Sequence, residues 1–458
     1  MQNTGFFICL VCLTNKYEKK NRARNSNDKE VKSLIMIKWL SDIIKPKLSE
    51  YGGKGCSLSV LTNKGFHVPK GFVLSAETFF EYLRQNNLFD KTQNLVHQIN
   101  DMNFRAKSRE IKSLIITGKI SKTIVLEIEK NLKRLRSQYV SIRSSAVSED
   151  SLKASFAGLH DTFLNIRSES TLVSENVKKC WLSLFNERAL VYRIRKKIPH
   201  LEGMAVVVQK MVPASISGIA FSVHPTNAQA LLVEASYGLG DLIVSGKIGS
   251  DEFVIDRKTL KILEKRLGNK SQMSRVAGDG TKIVHVGEKT AKRQALTDEE
   301  VRQVAKISLD VERTYKIPQD IEWCIYRKKV WLLQSRAITT SVTPTKVSLE
   351  RNIILKGIPA SPGIIRGKVK ILLNPNQVGK MKNGDILVTV MTNPLYLVAI
   401  QKAKAIVTDV GGMICHAAII ARELGIPCVV GTGNATELLR DLNEVIVNGT
   451  EGTVYASK

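Results

Sequence analysis

The chain has 458 residues, 43% of them hydrophobic, enough for two or three domains each with its own core, which excludes a disordered tail protein. Its longest apolar runs fall short of the roughly 20 residues that cross a bilayer. The run FFICLVCL near the start has no basic residue ahead of it and no small-residue cleavage site behind it, so neither a membrane anchor nor a secretory signal is expected. The formal net charge of +27 is spread along the chain without an RNP-like aromatic string, a zinc finger or a helix-turn-helix pattern. It reads as the surface of an enzyme with anionic substrates, not as a nucleic-acid footprint.

Residues 1–37 form an N-terminal extension, a short apolar run and then the basic KYEKKNRARNSNDKEVK, expected to be disordered or an artefact of start-site choice ahead of Met36. It holds the one CxxC, Cys9 and Cys12. With no second pair or His cluster, that spacing reads as chance, and the cysteines as free thiols of a reducing cytoplasm. From 38 to 340, helical patterns alternate with β-branched runs such as MAVVVQKMV and IEWCIYR, predicting α/β and α+β texture. The Thr-, Ser- and Pro-rich segment around TTSVTPTKVS predicts a linker over 341–355, and 356–458 has the size and Gly turns of a separate small domain.

Gly52-Gly53-Lys54-Gly55, followed by SLSVLTNKGF, predicts a glycine turn feeding a helix that bears Leu58 and Leu61 and stops at Gly65. The GxxxxGK[ST] spacing of a P-loop is absent, and taken alone such a cluster is more often an ordinary turn. YVSIRSSAVSEDSLKASFAGLHDTF, residues 139–163, predicts a strand carrying Arg143, then serines, then a flexible loop with Gly158 and Thr162 beyond it. Hydroxyls, amides on a glycine turn and a fixed cation are what triphosphate oxygens require; a polar surface loop would read the same way. DIEWCIYRKKVWLLQSR, residues 320–336, predicts two strands joined at Arg327, Lys328 and Lys329. A hairpin centred on Lys328 sets Glu322 opposite Gln334 and Asp320 opposite Arg336, all on one face. Directly opposed positions are close enough for Glu322 and Gln334 to hold one hard cation, with Arg336 in reach of phosphate. A cross-strand polar pair on a solvated face is the plain alternative.

These segments, with KKCWLSLFNERALVYR, VVVQKMV and SGIAFS between them, resemble in order the ATP-grasp nucleotide-binding domain of phosphoenolpyruvate synthase, pyruvate phosphate dikinase and rifamycin phosphotransferase. The resemblance implies that Lys54 and Arg143 contact ATP phosphates under a loop containing Gly158 and Thr162, and that Gln209 ends the strand leading to an adenine hinge at Lys210 to Val212. It implies a magnesium ion on Glu322 and Gln334 and phosphate on Arg336. Glu234 also matches, touching nucleotide or bracing the site.

AIVTDVGGMICHAAIIARELGIPCVVGTG, residues 405–433, predicts strand, Gly-Gly turn, a helix from about Ile414 to Leu424 ending at Gly425, and a strand. His416 then lies in the first turn, where free amides and the helix dipole would stabilise a phosphate on a neutral imidazole nucleophile. An isolated His there would read as a cap. Together with GIPASPGIIRGKV and GDILVTVMTNPLY, the segment resembles the swivelling phosphohistidine domain of the same family, which implies that His416 is phosphorylated; Cys415 is assigned no chemistry, and Asn393 stands where an Asp is common. The family's pyruvate-binding barrel and drug-binding domain are expected to lie outside this chain, since neither is found between the halves or within the residues through GTVYASK. The expectation is a cytoplasmic ATP-dependent phosphotransferase, the donor component of a split phosphoenolpyruvate synthase that passes phosphate to pyruvate on a separate barrel-bearing chain. The alternatives are transfer to another acceptor, a rifamycin-type small molecule or a protein, and a nucleotide-sensing module without turnover.

Overall fold

The computed structural model describes residues 37–148, 159–196, 198–246, 248–338, 353–413 and 415–457; the expected N-terminal extension, Gly158 and most of the expected linker lie outside the described residues. The β-branched runs become strands of three main sheets, in a mixed α/β multidomain architecture. The first is five-stranded and antiparallel, in the order β1 (Ile37–Trp39), β2 (Gly71–Leu74), β5 (Met204–Lys210), β3 (Tyr139–Ala146), β4 (Thr162–Arg167). Helices Ala76–Gln85, Phe104–Ile116, Lys122–Leu135 and Ser170–Ser183 cover one side of it. Their apolar stripes close around Trp181, which sits 5.8 Å from Phe79 and 5.0 Å from Tyr82 between ring centres.

The second sheet is six-stranded and antiparallel, from β13 (Lys329–Ala337) through β12 (Gln319–Tyr326), β6 (Ile216–Phe221), β7 (Ala230–Tyr237) and β8 (Asp251–Asp256) to β9 (Ile262–Arg266). A separate hairpin, β10 (Gln272–Val276) and β11 (Thr281–His285), follows. Alternation along these strands decides the faces. Ile321, Trp323 and Ile325 turn to a core shared with helices Leu48–Asn63 and Asp298–Tyr315, the latter started by a Thr297–Glu300 capping box. Asp320, Glu322, Ile219, Phe221, Leu232 and Glu234 turn the other way.

The third sheet, in the C-terminal part, is eight-stranded and mixed: β14 (Ile353–Lys356), β21 (Thr453–Ala456), β20 (Glu444–Asn448), β16 (Ile364–Ile371), β17 (Asp385–Thr389), β18 (Ala403–Thr408), β19 (Cys428–Val430), β15 (Ile358–Ser361). Strands β16 to β19 are parallel neighbours, and helix His416–Leu424 crosses from β18 to β19. One apolar cluster joins the C-terminal part to the rest: Tyr192, Ile219, Phe221 and Leu232 pack in it with Tyr396, Met413, Cys415 and Ile420. Among the described residues no helix is long and apolar enough to cross a membrane.

Candidate active site

A cavity of about 570 Å³ lies between the first two sheets and the C-terminal part; Lys54, Arg143, Thr162, Gln209, Glu322, Gln334, Arg336 and His416 all line it. These eight expected site residues are therefore in one place, although their positions run from 54 to 416.

The glycine turn is built by close approach. Gly52 has φ 64° and ψ −179° inside helix Leu48–Asn63, and a Cβ there would lie 2.1 Å from the Ser145 carbonyl oxygen. Ser145 Oγ, on β3, accepts from the Gly55 amide at 3.0 Å and donates to the Tyr51 carbonyl at 2.8 Å. The turn bearing Lys54 is thereby stapled to the strand bearing Arg143, with both side chains buried at the cavity wall. Thr162 starts β4 directly opposite Arg143. Gln209 is tied down by donating to the Pro69 carbonyl at 2.9 Å, next to Lys210, Met211 and Val212 on the cavity wall.

In the β12–β13 hairpin Glu322 is opposite Gln334 and Asp320 opposite Arg336, as the sequence predicts, but the predicted centre at Lys328 is wrong. Arg327 and Lys328, with φ 51° and 59°, form a two-residue turn, and Tyr326 pairs with Lys329. The numbering comes back into line at Glu322 because a β-bulge leaves Leu333 unpaired between Leu332 and Gln334. That extra residue has a use: its carbonyl accepts a hydrogen bond from Arg143 Nη1. Nη2 of Arg143 donates to Glu322 Oε2 at 3.0 Å and to Gln334 Oε1 at 3.1 Å. Two hard oxygens thus converge on one cationic centre, the guanidinium itself. Both are hard oxygen donors of the kind magnesium takes, though here the guanidinium stands between them; among the described residues no group of three or more His, Cys, Asp or Glu is placed to hold a metal alone. Arg336 is aimed by Asp320, whose Oδ2 accepts from its Nε at 2.6 Å.

Helix His416–Leu424 starts two residues later than predicted, with Cys415 as its N-cap residue and Gly425 closing it at φ 65°. The Ala417 and Ala418 amides are directed at the Cys415 thiol, and the positive end of the helix dipole lies at the His416 end. His416 is part-buried, and Nδ1 lies 3.0 Å from Thr392 Oγ1. Burial, reinforced by the charge of Arg188, pushes the imidazole down to about 4. Thr392 and Arg188 line the cavity too. Neither stood out in the sequence, although both fall inside the motifs MTNPLY and FNERALVYR; nothing local marks which residue of such a motif meets the histidine.

Glu234 does not line the cavity. It sits 1% exposed on β7, opposite Glu252 on β8, and its carboxyl is pushed up to about 8 by burial and then by Glu252. Ser250 donates to its Oε2 at 2.8 Å, while Oε1 has no hydrogen-bond partner among the described residues. A Cβ at Gly412 would lie 3.4 Å from Oε2. Glu234 therefore braces the surface on which the Gly411-Gly412 turn rests.

Residues 48–353 match the family "Pyruvate phosphate dikinase, AMP/ATP-binding domain", and residues 381–452 match "PEP-utilising enzyme, mobile domain". The chain is 40% identical to a probable phosphoenolpyruvate synthase of Archaeoglobus fulgidus over 92% of its own length and 58% of that protein. It is 40% identical to one of Methanothermobacter thermautotrophicus, over 93% and 64%. It is 37% identical to the phosphoenolpyruvate synthase of Pyrococcus furiosus, over 92% and 58%. The chain thus spans 58–64% of the length of these curated relatives. With both matches falling on the two parts that enclose the cavity, the chain belongs to the pyruvate phosphate dikinase AMP/ATP-binding domain family.

Proposed function

We propose that this protein is an ATP-dependent phosphotransferase in which an ATP-grasp unit, residues 38–340, phosphorylates His416 on a mobile unit, residues 356–458. The observation that carries the reading is that His416 opens onto the same cavity as Lys54, Arg143 and Arg336. The adenine end lies along Gln209 to Val212. Lys54, Arg143, Thr162 and Arg336 bind the phosphates. Magnesium, held by Glu322 and Gln334, would neutralise charge on the transferring group.

The chain's own residues do the rest. We assign Nδ1–H as the donor to the Thr392 hydroxyl, which leaves the lone pair on Nε2, and burial keeps it unprotonated. Nε2 forms a bond to phosphorus as the P–O bond of ATP breaks, and the departing nucleotide oxygen takes the electron pair. The positive end of the helix dipole then stands beside the phosphate on His416. The names of the relatives favour pyruvate as acceptor and phosphoenolpyruvate as product, on a barrel outside these 458 residues, whether in a separate chain or in a continuation of this one.

Protein incubated with magnesium and ATP labelled in its β and γ phosphates should acquire acid-labile label on His416, and His416→Ala should acquire none. An unlabelled wild type, or label retained in the variant, overturns the proposal.

A further inference from the structure

Arg422 ends the helix that His416 begins, and an arginine in a last helical turn has a plain role against the helix dipole. Two contacts ask for more. Nη1 donates to the Ala360 carbonyl on β15 at 2.8 Å, within the same part of the chain. The guanidinium carbon also lies 5.6 Å from the ring centre of Phe221, which belongs to β6 of the nucleotide-binding part. Phe221 is directly opposite Asp320, and Asp320 is directly opposite Arg336, so the three occupy one row across β6, β12 and β13 on the cavity face. Asp320 and Arg336 are near enough for their charges to act on Arg422, in opposite directions.

The other end of the helix rests elsewhere on the same sheet: a Cβ at Gly412 would lie 3.4 Å from Glu234 Oε2, and the Glu234 charge reaches Cys415. The segment leading into the helix therefore lies against β7 and its last turn against Phe221 on β6.

We infer that Arg422 is a positioning residue for phosphorylation of His416, keying the histidine-bearing helix to the nucleotide-bearing sheet through the face of Phe221. The inference rests on His416 being the phosphoryl acceptor. Arg422 touches no reacting atom; it sets how far along the sheet the nucleophile stands.

The test is a double-mutant cycle across the two parts, read as the rate of His416 phosphorylation at saturating Mg-ATP and, separately, as KM for ATP. Arg422→Gln and Phe221→Leu each keep polarity or bulk and should each slow phosphorylation about tenfold, the size expected for a desolvated cation–π contact, with KM within about twofold because neither touches nucleotide. The double variant should be no slower than the slower single variant. Arg422→Lys should recover most of the rate with Phe221 present and little in Phe221→Leu. Losses that multiply to about a hundredfold, or a lysine rescue indifferent to Phe221, would mean that Arg422 acts only within its own domain through Ala360, and would overturn the inference. A wild type that takes no label at all refutes the underlying phosphohistidine reading instead.

Discussion

Replacing Thr392 by valine preserves the shape of the side chain and removes the oxygen 3.0 Å from His416 Nδ1. The ring is part-buried, so the Nδ1–H loses its acceptor without gaining full hydration. A buried donor left unpaired costs about 1–3 kcal/mol, against about 0.5–1.5 kcal/mol for the net worth of a hydrogen bond made in water's presence. The tautomer with Nδ1–H loses its advantage over the one with Nε2–H, and the ring loses its orientation. If half to all of that penalty falls on the transition state, phosphorylation slows about 2- to 150-fold, at about 1.4 kcal/mol per tenfold. ATP affinity should not change, since Thr392 belongs to the C-terminal part and the nucleotide contacts to the other. The assay is rapid-quench measurement of acid-labile label across a range of ATP concentrations, with Thr392→Ser as the control that restores the hydroxyl. A Thr392→Val rate within about twofold of wild type, or a loss expressed in KM alone, would refute the assignment of Thr392 as the group that orients the imidazole.

Two further outcomes follow from the site. Burial holds His416 at about 4, below the usual imidazole value near 6.5, so the neutral nucleophile persists as pH falls: the single-turnover rate should be flat from pH 7 to about 5, and a half-maximal point near 6.5 would contradict the burial argument. The same shift makes the unfolded chain bind the extra proton between those two values, so this group's contribution is fully present above about 6.5 and diminishes as pH falls towards 4, measurable as a falling Tm. Gly52→Ala forces a Cβ to within 2.1 Å of the Ser145 carbonyl at a φ of 64°; a destabilisation of about 2–4 kcal/mol is expected, from strain and the enforced shift of the turn. Calorimetry should show it together with weakened ATP binding, and an unchanged Tm and Kd would mean that the turn is not held as described.

The nucleotide-binding part was legible wherever the chemistry is local. Hairpin arithmetic paired Glu322 with Gln334 and Asp320 with Arg336, but only because its one-residue error in the turn is offset by the bulge. Gly65 there, like Gly425 in the C-terminal part, marks a helix end because few other residues tolerate its positive φ. The bulge at Leu333 was not legible: its reason is Arg143, 190 residues earlier, whose guanidinium reaches the freed carbonyl. Nor could spacing show that Arg143 itself occupies the point where Glu322 and Gln334 converge.

For the histidine, sequence alone placed it in the first turn of a helix and made it a candidate nucleophile. Its depressed basicity, the Thr392 hydroxyl on its ring and the Phe221 perch for Arg422 all come from docking one folded part on another. Local patterns determine what each element presents, because backbone hydrogen bonding and side-chain alternation act over a few residues. Which surfaces meet depends on apolar area and charge assembled from distant segments, and only the folded chain brings those together.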